Sequence, residues 1–112
     1  MKIIRNKYKW IPIPFPTYKA INICGVLIVR GNARIDDVTL NHEEIHTAQI
    51  KEMLYLFFYI WYGIEWFIKF LKYWNSHKAY KNISFERESY ANQNDLTYLK
   101  TRRRFSWIKH LT

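Results

Sequence analysis

Glycine and proline are scarce, with three of each among 112 residues, and cysteine occurs once. The shortage of Gly and Pro argues against a flexible linker or low-complexity tail. Hydrophobic residues make up 49% of the chain and aromatics 19%, and a chain so rich in rings folds around them. A lone Cys24 excludes an internal disulfide and a thiolate-rich metal site, which leaves histidine and carboxylate as the ligand types on offer. Acidic charge is thin as well: nine Asp and Glu against 18 Lys and Arg give a formal charge of +9. Such an excess draws a protein towards anionic surfaces, either nucleic acid or lipid. No Gly-rich phosphate loop is present, and no Ser or Cys carries a recognisable nucleophile signature. The length is that of one domain with a modest core, spanning 1–112.

The opening "MKIIRNKYKWIPIPFP" is basic but has no uninterrupted apolar stretch and no small-residue cleavage site. It does not read as a secretory signal, so a cytoplasmic location is expected, with the inner face of the membrane as a peripheral site. Pro12, Pro14 and Pro16 forbid helix and predict an extended arm over residues 1–17. "YKAINICGVLIVR", residues 18 to 30, is rich in Ile and Val and predicts one strand or a hairpin bending at Gly25. A helix capped by Thr39 or Asn41 is then expected from about Leu40 to about Tyr62.

"MLYLFFYIWYG" carries no charge, and the apolar character runs on to Trp74 with only Glu65, Lys69 and Lys72 interrupting it. Its unbroken part falls short of the roughly 20 residues that span a bilayer. Many of its residues are Trp and Tyr, which favour the membrane–water boundary, so contact of residues 53–74 with an anionic membrane surface is expected ahead of spanning. The same rings at helical spacing also suit a small helical core. "NSHKAYKN" interrupts the pattern, Ser84 is placed to cap a last helix through "FERESYANQNDLTYLK", and 101–112 closes the chain as a mobile basic and aromatic tail. The fold class that follows is α+β and mainly helical: an arm and a strand or hairpin, an active-site helix, an aromatic helix and a glutamate-bearing C-terminal helix.

Within "TLNHEEIHTAQ" two histidines stand four apart with a glutamate after the first. On a helix His42 and His46 project from one face and can share a metal ion. Glu43 lies about 100° round from His42, beside such an ion, where its carboxylate suits a general base for zinc-acidified water. Glu44 points further round, towards solvent. Shuffling this composition yields the same motif in roughly one chain in a hundred, so a third ligand is required to make it specific. Glu86 and Glu88 on the last helix are the candidates, with His77 as competitor and His110 in the tail. If Phe85, Leu96 and Leu99 mark the buried stripe of that helix, periodicity leans towards Glu88.

"HEEIH" followed by "FERESYAN" resembles the gluzincin pattern, His-Glu-x-x-His on one helix completed by a Glu on a second. More closely, "LNHEEIHTAQ", "FFYIWYGIEW" and "YKNISFERESYAN" look like a group of short bacterial proteins of minimal zincin type. The resemblance implies Zn2+ held by His42 and His46, with Glu43 as general base. For the third ligand it leaves two alignments. Glu88 to Asn92 fits Glu-x-x-x-Asp with Asn for Asp, and Glu86 to Ser89 fits Glu-x-x-Ala with Ser for Ala. Asn92 would then support a ligating histidine. Tyr90, a further supporting residue, and His77 are candidates to stabilise an oxyanion.

The function expected is a zinc metallopeptidase acting on a peptide or protein laid along the edge of the strand in 18–30. Two non-catalytic alternatives stand beside it. One is a protein at the membrane surface, with Trp61, Tyr62 and Trp66 at the lipid boundary. The other is nucleic-acid binding through Arg102, Arg103, Arg104 and Trp107.

Overall fold

Three short strands, β1 (Lys2–Asn6), β2 (Ala20–Ile23) and β3 (Val26–Arg30), form a sheet in the order β1-β3-β2. A computed structural model supplies these coordinates and describes residues 2–6, 20–30 and 35–111. The proline-rich segment 10–16 lies outside them. β1 runs parallel to β3, whereas β2 and β3 are an antiparallel hairpin in which Ile23 faces Val26. Both turn residues have positive φ, +53° at Cys24 and +89° at Gly25, as a two-residue turn matching the twist of its strands requires. A Cβ at Gly25 would also stand 3.3 Å from Thr47 Cγ2, a tight contact added to the strain of its positive φ. Leu27 and Val29 alternate onto the buried face of the central strand.

The first helix, α1 (Asp37–Glu52), starts three residues earlier than expected. Asp36 caps it, accepting from the Thr39 N–H at 2.8 Å, so neither Thr39 nor Asn41 is the cap. It also ends ten residues early. Leu54 and Tyr55 take left-handed φ of +54° and +62°, and the next helix, α2 (Leu56–Tyr73), leaves at 111° to α1. Sparsely populated backbone of this kind costs about 1–3 kcal/mol per non-glycine residue. Packing offsets it, because the turn lets α1 and α2 both close on one cluster of Ile50, Phe58, Ile83, Phe85 and Trp107.

Trp74 ends α2 in a left-handed conformation, and Asn75 caps a short α3 (Ser76–Lys81) by accepting from Lys78 N–H. The segment read as an interruption is thus mostly helical. α4 (Ser84–Asn92) follows, but Ser84 does not cap it with its own side chain. Instead Ser84 donates both its N–H and its hydroxyl to the buried Glu65 carboxylate of α2. That places a carboxylate at the positive end of the helix dipole. α4 stops at Asn92, and only a four-residue turn, α5 (Tyr98–Thr101), continues the segment read as one long helix.

The C-terminal residues are not a mobile tail. Ser106–His110 form a 3-10 turn that sets Trp107, 5% exposed, against Phe85 at a ring separation of 4.7 Å. Trp107→Ala is expected to cost about 3–5 kcal/mol, as cavity formation at a buried tryptophan does, and a chemical denaturation midpoint within error of the parent would refute this.

Candidate metal centre

The face of α1 turned inward is mostly polar: Asn41, His42, His46 and Gln49 are buried along with Ile45 and Ile50. Buried polar groups are tolerable only when bonded, and here each has a partner. Asn41 Nδ2 donates to the carbonyls of Gln93 and Asp95, at 2.9 and 3.0 Å, which closes the C-terminal end of α4. Ser89 Oγ donates to the His42 carbonyl at 2.9 Å. On the other flank Asn22 of β2 donates to the Glu43 carbonyl and to Thr47 Oγ1. The backbone carrying the histidines is therefore fixed from both sides.

His42 Nε2 and His46 Nε2 stand 3.1 Å apart, and Glu86 Oε1 of α4 lies 3.3 Å from the first and 3.0 Å from the second. All three residues are buried and could hold a metal ion together. The outer ring nitrogens point away from this centre, each 2.8 Å from an amide oxygen: His42 Nδ1 from Gln93 Oε1, His46 Nδ1 from Gln49 Oε1. For Gln49 the assignment is forced, because its amide nitrogen already donates to the Phe85 carbonyl and to Glu88 Oε1. An amide oxygen only accepts, so His46 Nδ1 carries the proton and Nε2 presents a lone pair inward.

When both Nδ1 atoms donate outward, the two inward lone pairs and a carboxylate oxygen within van der Waals contact repel one another. The arrangement calls for a positive charge between them. A tetrahedral ion with bonds of about 2.0–2.1 Å separates its ligand atoms by about 3.3 Å, close to the spacings seen, so the donor set fits a metal. Tyr62 of α2 donates to the other oxygen, Glu86 Oε2, at 2.8 Å and fixes which oxygen faces the imidazoles.

Without a metal a proton fills the gap. Burial alone would lower the His46 pKa, but the charge and hydrogen bond of Glu86 outweigh it and raise the imidazole from 6.5 to about 9. Burial would likewise raise Glu86, yet the two imidazoles hold it well below the usual carboxylate range. A raised histidine contributes stability that is complete below its unfolded pKa and lost as pH climbs through the folded one; a depressed carboxylate contributes above its unfolded pKa. Metal-free protein is therefore expected to be most stable between about pH 4.5 and 6.5 and to lose on the order of 3 kcal/mol by pH 9. Thermal melts in chelator across that range check it, and a flat profile would count against the buried pair.

Glu43 stands outside the ligand group, half-buried, with its pKa raised by burial and drawn back in part by His46 and His42. Glu44 is half-buried too. Glu88, favoured by periodicity as the third ligand, is elsewhere. Its carboxylate accepts from Tyr98, Gln49 and Arg102, and Arg102 also binds Glu52 at 2.6 Å. Burial would raise Glu88, but these hydrogen bonds, Arg102 first, keep it depressed. Its role is one step back: Arg102 holds Glu88, Glu88 holds Gln49, and Gln49 sets the His46 ring.

Asn92 does not support a ligand either, since its side chain donates to the Glu88 carbonyl and the neighbouring Gln93 takes the place expected of it. Tyr90 packs its ring edge-on to His42 at 4.5 Å while its hydroxyl pairs with Tyr80. His77 is exposed, 5.9 Å from the Tyr80 ring, and His110 takes part through its carbonyl, which accepts from Arg87. Family models, curated proteins and solved structures offer no match to this chain. The centre therefore stands on its own geometry.

Gln49 had a signal in the sequence, three residues after His46 on the same helical face. Tyr62, Gln93 and Arg102 had none, because each reaches the site from another element.

Proposed function

We propose that the chain is a small zinc-dependent metallopeptidase of gluzincin-like type. The observation that carries this is the convergence of His42 Nε2, His46 Nε2 and Glu86 Oε1 on one point, with both outer ring nitrogens engaged. Three nitrogen and oxygen donors with no thiolate are the set of a hydrolytic zinc site that keeps one position open. Bound there, zinc supplies a Lewis acid that acidifies water and polarises a carbonyl.

The chain's own residues do the rest. His42, His46 and Glu86 hold the ion, with Gln93, Gln49 and Tyr62 fixing their orientation. Glu43, its carboxyl raised by burial, takes a proton from water and delivers it to the departing amine, the task of a general base with a pKa moved towards neutrality. An extended peptide pairing with the outer edge of β2 would lie beside α1, because Asn22 ties that strand to the Glu43 backbone.

Protein purified without added metal is expected to contain one zinc per chain and to cleave an unfolded protein substrate, with both properties lost on chelation or in His46→Ala. Zinc-loaded protein that hydrolyses no member of a diverse peptide library beyond the level of His46→Ala would sink the proposal. Nucleic-acid binding gains nothing from the structure: Trp107 is buried and Arg102 is paired inside, which leaves Arg103 and Arg104 exposed.

A further inference from the structure

α2 has two apolar faces. The inner one carries Phe58 and Tyr62 to the core and the metal centre. The outer one, through Phe57, Ile60, Ile64, Phe67, Ile68 and Leu71, recurs every three or four residues and is open to solvent, with Phe67 and Ile68 each 56% exposed. From Phe57 to Leu71 this stripe is about 21 Å long. It continues past both ends of the helix: Leu54, 70% exposed, protrudes at the left-handed corner, and Trp74, 74% exposed, at the other. A contiguous apolar surface of this kind marks a docking site.

We propose that the outer face of α2 docks on an anionic lipid bilayer, the helix lying in the plane of the interface. Charge selects this occupant. Between residues 51 and 81 the acidic side chains are Glu52 and Glu65, and both are buried in internal bonds, to Arg102 and to Ser84. The outward charge in that stretch comes from lysine: Lys72 and Lys78, both over the Tyr73 ring at the C-terminal end of the stripe, and Lys51 in the last turn of α1, all exposed. A second copy would bring a like charge of +9 against the same lysines, whereas anionic headgroups bring the opposite sign. Tyr55 and Trp74 at the two ends are the residue types that settle at headgroup level. No single helix among the described residues is long and apolar enough to cross a membrane, and the α1–α2 pair that reaches the length together is bent by 111° and carries Asn41, His42, His46 and Gln49 on α1, so an in-plane pose is the one that buries the stripe. Since Tyr62 on the inner face touches Glu86, docking would hold the metal centre within about one helix diameter, ~10 Å, of the lipid.

The test needs no metal and stands whether or not the centre is catalytic. Full-length protein is incubated with vesicles of phosphatidylcholine containing phosphatidylglycerol, and with phosphatidylcholine alone. Sedimentation with the anionic vesicles, roughly tenfold weaker with neutral ones, and a blue shift of tryptophan emission are expected. Ile64→Glu with Ile68→Glu should abolish it, and Lys51→Glu with Lys72→Glu should lower it about tenfold or more. All four positions are solvent-facing, so an unchanged thermal midpoint accompanies each loss. Sedimentation with neither vesicle, equal partition into both, or a solution dimer that the Ile64→Glu, Ile68→Glu pair dissolves would overturn the proposal.

Discussion

Glu86→Ala is expected to weaken metal binding by more than about a hundredfold, beyond the range seen when only a supporting residue is lost. Among the described residues, Glu86 is the one carboxylate whose oxygen lies within 3.3 Å of both Nε2 atoms. Metal-free Glu86→Ala should remain folded, losing no more than the roughly 3 kcal/mol that pairing with His46 contributes, because the His46 imidazole discharges to its neutral form once the carboxylate is gone. Glu88→Ala should behave in the opposite sense. Removing the partner of a buried Arg102 leaves that charge with Glu52 alone, and losses of this kind cost about 3–5 kcal/mol. Its effect on metal affinity is confined to Gln49, about 10- to 100-fold. Chelator competition beside thermal melts on the two variants separates the roles. Wild-type affinity in Glu86→Ala, or the reverse ordering of the pair, would remove Glu86 from the centre.

That pair also shows where the sequence stops being readable. His42, Glu43 and His46 are marked by spacing on one helix, and spacing within a helix survives folding. Choosing between Glu86 and Glu88 relied on a buried stripe drawn through Phe85, Leu96 and Leu99 as if one helix joined them. α4 ends at Asn92 and Leu96 is exposed, so two of the three markers belong to other segments. Even a correct boundary would not have helped. Ser84, Phe85, Glu86, Glu88 and Ser89 are all buried, because α1, α2 and the C-terminal turn cover the short helix on several sides, and a helix covered so widely has little apolar periodicity to read.

The same applies to α1, whose buried face is chiefly Asn, His and Gln held by hydrogen bonds, a pattern that apolar periodicity reads as surface. The corner at Leu54 and Tyr55 contains neither glycine nor proline, so nothing local announces that the helix turns there. The hairpin at Gly25 was legible for the converse reason, that a local steric rule decides it. Arg102 and Trp107 read as a basic tail because a terminal run of charge is usually solvated. Their burial depends on Glu52, Glu88 and Phe85, partners from 14 to 50 residues away in number and invisible to a local window.

Glu43→Gln should leave the metal in place and lower kcat/KM by about 10²- to 10⁴-fold, the usual worth of a positioned general base. The substitution keeps the shape and removes the basicity. Metal is retained because Glu43 is not among the converging atoms, and its backbone carbonyl, which Asn22 and Thr47 hold, is untouched. Stability should hold or rise slightly, since a carboxylate whose pKa is raised by burial is costly to ionise there. A Glu43→Gln protein carrying a full complement of metal and turning over at the parental rate would show that the proton is moved by another group, and the assignment of Glu43 as base would fail while the metal centre stood.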